Sequence, residues 1–424
     1  MPTTPIERHR LSNGLRVVLS PDRGTPIVAV NLWYDVGSKH ERPGKTGFAH
    51  LFEHMMFQGS KNVAKNEQYA LIESVGGSLN GSTHLDRTNY YETLPSHELE
   101  LALWLEAERM ANLLPAMTQE KLDNQRDVVK NERRSVVDNV PYGSWDEKLP
   151  ELLFPESHPY HHSVLGSMED LSAASLEDVQ AFFRTYYCPN NAVLTIAGDF
   201  EPGAAMAMIE RHFGPIPANP DLPAPPEISL DPFLAGAEVR EVLHDQVPLP
   251  RVYLAYRIPI FGSESWDALQ VACDLLANGR ASRLYAELVR ERQLAQDVVA
   301  FPFSLVGGAS ILTIWATASP AVEPAQLEAE LLAEIDELAT AGPDSDELAR
   351  VRNLHAAETA SSLERIAERA DRLSQYTCLF DEPERINSED SRYEAVTADK
   401  VRAAMASFVR PDNRVVLTYV PAEA

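Results

Sequence analysis

Short apolar runs, each followed by segments with helical periodicity, recur in the two halves of this 424-residue chain. Aliphatic and β-branched residues at 15–19 and 26–33 predict two strands, and those at 237–243 and 251–256 predict a second pair. A long region of helical pattern follows each pair. The chain therefore repeats an order of strands first and helices afterwards.

The ends of the two halves also match, at a constant spacing. Val179 and Val401 each open an amphipathic helical pattern that leads through a Pro-x-Asn turn, containing Asn191 or Asn413, into a β-branched strand. Both pairs differ by 222 positions (401 − 179 and 413 − 191). A fixed offset indicates duplication of one structural unit. We expect an α+β fold of two tandem homologous domains, each a mainly antiparallel sheet with helices packed on one face.

A proline-rich stretch near the midpoint predicts a semi-rigid linker between the domains. The expected division is an N-terminal domain over residues 1–217, a linker over 218–235, and a C-terminal homologous domain over 236–424. The candidate metal ligands described next fall in the first half, so the C-terminal domain is expected to lack a metal site.

The residues His50-Leu51-Phe52-Glu53-His54 carry the strongest chemical signal. Histidines four apart share one face of a helix, and Glu53, three residues after His50, leans toward that face. Neutral imidazoles bind zinc, and a nearby carboxylate can take a proton from water on the metal. This HxxEH order is a metallopeptidase motif.

The alternative interpretation is two surface histidines and a solvated glutamate. The flanking residues argue against it, because six apolar side chains surround the polar trio: Phe48, Leu51, Phe52, Met55, Met56 and Phe57. An apolar helix does not bury imidazoles and a carboxylate without partners for them, and a metal would be such a partner.

A zinc hydrolase needs a third protein ligand. The segment 121–137 is helical in pattern, and one face carries Leu122, Gln125, Val129, Glu132 and Val136. A charge on a buried stripe is costly unless it is paired or bound to metal. Glu132 is therefore the predicted third ligand, and Gln125 a neighbour that supports the ligands. In the alternative, the stripe is partly solvated and Arg133 or Arg126 pairs with the acid.

Composition excludes several classes of partner. With 37 basic and 63 acidic residues, the net charge of −26 argues against nucleic acids and anionic membranes. No apolar run approaches the length needed to cross a bilayer, and the first residues do not resemble a signal peptide. The three cysteines are odd in number and lack CxxC or zinc-knuckle spacing, which indicates reduced, buried thiols. We expect a cytoplasmic location.

Together these residues resemble the pitrilysin-like, or M16, zinc metallopeptidases, whose signature is HxxEH followed by a glutamate at about the distance of Glu132. Segments 76–83, 126–132 and 282–285 resemble further family motifs. The resemblance covers nearly the whole chain and implies the short, two-domain subfamily B type. Members of this branch work as dimers that enclose a chamber for short or unfolded peptides.

The resemblance also implies roles for individual residues. One Zn²⁺ per chain would be held by His50, His54 and Glu132, and Glu53 would activate the water. The strand over 79–83 would pair with the substrate backbone, the mode called β-augmentation. Its contacts with substrate would come from Asn80, Gly81 and Ser82. Without the resemblance, the same pattern indicates an ordinary edge strand.

Two departures from the family pattern bear on function. The family often has a second glutamate seven residues before the third ligand, where this chain has Gln125. Self-sufficient members supply an arginine and a tyrosine from the C-terminal domain. Arg290 matches the arginine, but the tyrosine position is Gln296. A missing phenol would remove a transition-state donor worth on the order of 3 kcal/mol. We therefore predict a heterodimer in which a paralogous subunit supplies the Arg/Tyr pair.

The predicted function is a zinc-dependent endopeptidase subunit that cleaves short or unfolded peptides inside a dimeric chamber. A self-sufficient homodimeric peptidase and a non-catalytic core subunit of an assembly are the alternatives. Subunits of the second kind usually lose part of HxxEH, which is intact here.

Overall fold

A computed structural model describes residues 3–226 and 228–422. The chain forms two compact units. Unit 1 contains the residues up to 132 together with 163–226 and 359–388, and unit 2 contains the rest. The units therefore do not follow the two halves of the sequence, because each includes a segment from the other half. The division into 1–217, 218–235 and 236–424 stays a prediction for the extent of the duplicated segments.

Unit 1 contains one sheet. Its strands are β1 (Glu7–Arg10), β2 (Arg16–Pro21), β3 (Ile27–Tyr34), β4 (Ser78–Thr83), β5 (Thr88–Pro95) and β6 (Ala192–Gly198). Their order across the sheet is β1-β2-β6-β3-β5-β4. Neighbouring strands are antiparallel except β2 and β6, which are parallel. Strand β4 thus lies at one edge.

Unit 2 repeats this topology. Its strands are β7 (Val239–Asp245), β8 (Arg251–Ile258), β9 (Ala295–Pro302), β10 (Ser310–Ala318) and β11 (Arg414–Pro421). Their order is β7-β11-β8-β10-β9, again with one parallel pair, β7 and β11. The shared order and the shared parallel pair confirm the prediction of two homologous α+β domains with mainly antiparallel sheets.

The helices account for most of the remaining structure. The α-helices are α1 (Phe48–Met55), α2 (Glu67–Ser74), α3 (Leu99–Asn112), α4 (Gln119–Arg133), α5 (Trp145–Leu153), α6 (Met168–Ala173), α7 (Leu176–Tyr186), α8 (Pro202–Phe213), α9 (Glu264–Ala277), α10 (Pro324–Ala341), α11 (Ser345–Glu364), α12 (Ile366–Phe380), α13 (Glu389–Glu394) and α14 (Ala398–Phe408). Shorter 3₁₀ turns span Ser38–His40, Ser96–Glu98, Leu114–Ala116, Pro189–Asn191, Pro383–Ser388 and Pro411–Asn413, and π-helical turns span Arg134–Asp138 and Tyr285–Glu291.

The sheet of unit 1 is covered on both faces. Val28, Val30 and Leu32 of β3 belong to the main core of the unit. On the opposite face, Ala29 packs with Ala370 of α12. The prediction of helices on one face thus applies to the main core, and α12 covers the opposite face of the sheet. Strand β3 is buried along nearly its whole length, and its residues are apolar or aromatic except Asn31.

Two composition-based expectations can be compared with the structure. Cys188, Cys273 and Cys378 are all buried and free, as predicted. Across the described parts of the chain, no helix has both the length and the apolar character required to span a bilayer.

Candidate active site

Helix α1 is fixed at its first turn by the partly buried carboxylate of Glu41. Gly47, which precedes the helix, has a φ of 82°, and a Cβ there would lie 2.6 Å from the Leu165 carbonyl oxygen. Glu41 accepts hydrogen bonds from the backbone N–H of Gly47 (2.9 Å) and of Ala49 (2.7 Å). These bonds satisfy N–H groups that a helix start leaves without partners. Burial nevertheless raises the pKa of Glu41 to about 8.

Helix α4 is the second helix of the site, and its buried face agrees with the predicted one as far as Glu132. Leu122, Gln125 and Val129 are buried, and Glu132 is partly exposed. The prediction for Val136 is wrong, because this side chain is 50% exposed and Val137 is buried instead. A π-helical turn begins at Arg134. Its wider turn shifts the buried face by one residue, which a regular 3.6-residue period does not anticipate.

The three predicted ligands converge within unit 1. The Nε2 atoms of His50 and His54 are 3.3 Å apart, and Glu132 places one carboxylate oxygen 3.7 Å from the first and the other 3.1 Å from the second. Among the described residues, this trio is the one group of three His, Cys, Asp or Glu side chains arranged to hold a metal ion. The alternative partners point elsewhere: Arg126 contacts Asp123, and Arg133 contacts Glu147.

These distances fit zinc. Two ligand atoms each about 2.05 Å from a tetrahedral centre lie about 3.3 Å apart, which is the separation of the two imidazole nitrogens. The imidazole rings meet edge to face, with centroids 4.7 Å apart. Two imidazoles and one carboxylate are also a donor set that catalytic zinc sites use.

Electrostatics distinguishes the two histidines. Burial, together with the proximity of His54, lowers the pKa of His50 to about 4, against the opposing effect of Glu132. Burial alone would also lower the pKa of His54. Its hydrogen bond to Glu132 and the negative charges of Glu132 and Glu53 outweigh burial, and the pKa rises above its usual value. His50 is therefore neutral, the form that binds metal, over the whole physiological range.

Glu53 lies against the edge strand β4. Its Oε2 accepts a 2.6 Å hydrogen bond from the hydroxyl of Thr83. Gly81 faces the same side chain, and a Cβ there would lie 3.3 Å from Glu53 Cγ. Burial raises the pKa of Glu53, and the charge of Glu132 adds to the rise, while the Thr83 hydrogen bond opposes it. A raised pKa brings a carboxylate closer to the range in which it exchanges protons at neutral pH.

The predicted substrate strand is an exposed edge. Strand β4 pairs with β5 on one side, and its other side is an edge of the six-stranded sheet. The side chain of Asn80 is exposed, and its Oδ1 accepts from the N–H of Gly81 (2.9 Å). The Ser82 hydroxyl instead donates to Asn89 of β5 (2.7 Å). Asn80 and Ser82 thus share one face of the strand, but only Asn80 is exposed.

Gln125 lies beside the trio, as its predicted supporting role requires. The residue is buried, and its Nε2 donates to Asn124 Oδ1 (3.1 Å). A side-chain hydrogen bond with His54 contributes to the raised pKa of that imidazole. The amide therefore contacts a candidate ligand without adding charge to the site.

Sequence reasoning missed the role of Thr83, which orients the carboxylate of Glu53. A signal for this contact exists in the sequence. Residues 79, 81 and 83 of a strand share one face, and the small Gly81 on that face leaves room for a side chain from α1.

The two C-terminal positions considered for the Arg/Tyr pair lie in unit 2. Arg290 is exposed and pairs with Glu291 (2.8 Å). Gln296, at the tyrosine position, lies on β9 and donates to the Ser319 hydroxyl (3.1 Å).

Two models of known protein families match successive segments of the chain. A model of the insulinase family, peptidase family M16, matches residues 16–155, and a model of the peptidase M16 inactive domain matches 173–354. The zinc protease PqqE of Helicobacter pylori is 30% identical over 399 residues, which cover 94% of this chain and 89% of that protein. The chain belongs to peptidase family M16. The predicted resemblance is thereby confirmed.

Two further comparisons cover much of the chain. The crystal structure of a protease from Helicobacter pylori superposes with a TM-score of 0.93 at 26% identity, covering 99% of this chain and 100% of that one. A probable mitochondrial-processing peptidase subunit beta from Arabidopsis thaliana is 24% identical over 302 residues, 69% of this chain and 55% of that protein.

Helix α9 follows β8 as α1 follows β3. Its residues Ala272, Leu275 and Leu276 lie 222 positions after His50, Glu53 and His54. All three are buried.

Proposed function

We propose that this M16 chain is a zinc-dependent endopeptidase subunit that cleaves short or unfolded peptides in a dimeric chamber. The observation that carries the proposal is the convergence of three ligand atoms at tetrahedral spacing beside Glu53. His50, His54 and Glu132 would hold one Zn²⁺ per chain. The zinc proteases among the relatives support this assignment.

Residues of this chain would carry out the proton transfers of the reaction. Zinc, when bound, supplies Lewis-acid polarisation of the peptide carbonyl and makes water nucleophilic near neutral pH. The Thr83 hydroxyl orients the Glu53 carboxylate through Oε2, and this carboxylate would take the proton from the attacking water. Glu53 then donates that proton to the departing amine, acting first as general base and then as general acid.

The substrate would bind as an added strand along β4. Its open edge offers backbone N–H and C=O groups for pairing, and such pairing recognises main chain rather than sequence. Asn80, Gly81 and Ser82 are the proposed contacts. The exposed Asn80 would bond the substrate backbone directly. Ser82 would contribute less, because its hydroxyl is bonded to Asn89 and its carbonyl accepts from Arg87.

Gln125→Glu should tighten zinc binding by about tenfold, because the new carboxylate adds a negative charge beside His54. The measurement is the zinc dissociation constant by competition with a chromophoric chelator. Gln119→Glu, the same chemical change at an exposed position of α4, should leave the constant unchanged. Equal or weaker binding in Gln125→Glu would show that position 125 does not act on the metal.

A second subunit is part of the proposal. Position 296 carries glutamine, so the phenol that self-sufficient members use is absent from that position, and a paralogous partner would supply an Arg/Tyr pair. The Arabidopsis relative is itself named as one subunit of a processing peptidase. The net charge of −26 favours protein partners over nucleic acids or anionic membranes. A cytoplasmic location remains a prediction.

Peptide cleavage should be at least about 100-fold faster with a paralogous M16 subunit present than with this chain alone, since one transition-state donor is worth that factor. The assay follows cleavage of a peptide library by mass spectrometry, with zinc-loaded chain alone, partner alone and the mixture. Full activity from the chain alone would establish a self-sufficient homodimer. Inactivity in every arm, with zinc bound, would favour a non-catalytic core subunit.

A further inference from the structure

Helix α12 brings one carboxylate to the face of the unit 1 sheet opposite the main core. Oδ1 of Asp371 accepts hydrogen bonds from Asn31 Nδ2 (3.0 Å), Trp33 Nε1 (2.9 Å) and Asn89 Nδ2 (2.9 Å). Asn31, Trp33 and Asn89 are all buried. If that oxygen were removed, Asn31 and Trp33 would lose this acceptor, while Asn89 Nδ2 would keep only its longer bond to Asn31 Oδ1 (3.3 Å).

One of these donors connects Asp371 to strand β4. Asn89 lies directly opposite Ser82 in the β4–β5 register, and its Oδ1 accepts the Ser82 hydroxyl (2.7 Å). Arg87, in the same hairpin, donates to the Ser82 carbonyl (2.8 Å) and to Asn89 Oδ1 (3.0 Å). Ser82 is thus held through both its hydroxyl and its main chain.

The other face of β4 contacts the catalytic carboxylate. Thr83 donates to Glu53, and Gly81 lies against its Cγ. Because adjacent side chains of a strand point to opposite faces, β4 lies between Glu53 on one side and the Asp371–Asn89–Ser82 chain on the other. A displacement of β4 would therefore move both the substrate edge and the hydroxyl that orients Glu53.

We propose that Asp371 is a positioning residue for β4: through Asn89 and Ser82 it holds this edge strand in the position that substrate pairing requires. The inference rests on the proposed function, since it assigns β4 to the substrate. It concerns a residue of the C-terminal half of the sequence, distant in the chain from HxxEH and from Glu132. Asp371 itself touches neither substrate nor metal.

Hydrogen exchange tests the positioning without any peptidase assay. In the 424-residue chain, Asp371→Ala should speed amide exchange within residues 78–91 by about tenfold, because Asn31, Trp33 and Asn89 lose the anionic acceptor that they share. Asp371→Asn keeps an oxygen acceptor and should exchange more slowly than the alanine variant. Glu368→Ala, at an exposed position on the same helix, should leave exchange in this segment unchanged. Unchanged exchange in folded Asp371→Ala overturns the proposal.

A second variant separates positioning from general loss of stability. Ser82→Ala removes the hydroxyl that donates to Asn89 and accepts from Arg87, and it leaves the contacts of Asp371 intact, so faster exchange should be confined to β4 and its turn. If Asp371→Ala unfolds, Ser82→Ala and Asp371→Asn carry the test. Exchange unchanged in both overturns the proposal.

Kinetics then connects the strand to substrate. With the active assembly, Asp371→Asn and Ser82→Ala should raise KM by about fivefold and change kcat by less than about threefold, because a looser edge weakens substrate pairing. A purely structural role would lower the amount of active enzyme and leave KM unchanged. If the wild-type assembly cleaves no peptide, the proposed function fails, while the exchange measurements still decide whether Asp371 positions β4.

Discussion

Glu53→Gln should lower kcat for peptide cleavage by between about 100- and 10,000-fold while zinc remains bound. Glutamine has the shape of glutamate, and its amide oxygen can still accept the Thr83 hydroxyl. The amide cannot take a proton from water, so only the acid–base step is lost. The measurement pairs kcat on a fluorogenic peptide with elemental analysis of bound zinc, both made with the active assembly.

Glu73→Gln provides the matched control, because Glu73 is exposed on α2. Its kcat and zinc content should equal those of the unmodified chain. Retained cleavage in Glu53→Gln would remove the proposed mechanism. Loss of zinc along with activity would instead mean that Glu53 helps to hold the metal.

The positions of the strands along the chain could be predicted from the sequence, because alternation and spacing of residues are local properties. The expected strands at 26–33 and 251–256 correspond to β3 and β8, displaced by at most two residues at either end. The offset between Asn191 and Asn413 predicted the duplication, and both residues end equivalent turns in the structure.

Long-range packing could not be predicted in the same way. The periodicity of α12 indicates that one of its faces is buried, but no local pattern specifies which sheet covers that face. Ala370 packs against Ala29, some 340 residues earlier in the chain. The contact of Asp371 with Asn89 has the same character, since neither residue belongs to a recognisable motif.

The residues of the candidate site were likewise predicted only in part. His50, Glu53 and His54 follow from a five-residue motif on one helix, and Glu132 from a charge on an apolar stripe. The same helical reasoning failed at Val136, where the π turn changes the period. Thr83 was missed because its partner lies on a different element, 30 residues away.

Glu132→Gln should weaken zinc binding by at least about 100-fold, more than is typical for loss of a residue that only supports a ligand. The substitution removes the anionic donor of the trio, and the remaining imidazoles, 3.3 Å apart, provide only two ligands. Zinc retained after dialysis against a competing chelator measures the effect. Glu120→Gln, exposed on the same helix, should retain zinc as the unmodified chain does.

Thermal unfolding gives an independent measure of the same ligand. Zinc at 100 times its dissociation constant should stabilise the unmodified chain by about 2.7 kcal/mol, because it binds the folded state alone. At that same concentration Glu132→Gln should gain less than about 0.5 kcal/mol, since a hundredfold weaker site is only half filled. An undiminished shift in Glu132→Gln would show that Glu132 is not a zinc ligand, and the three-ligand geometry beside Glu53 would lose its support.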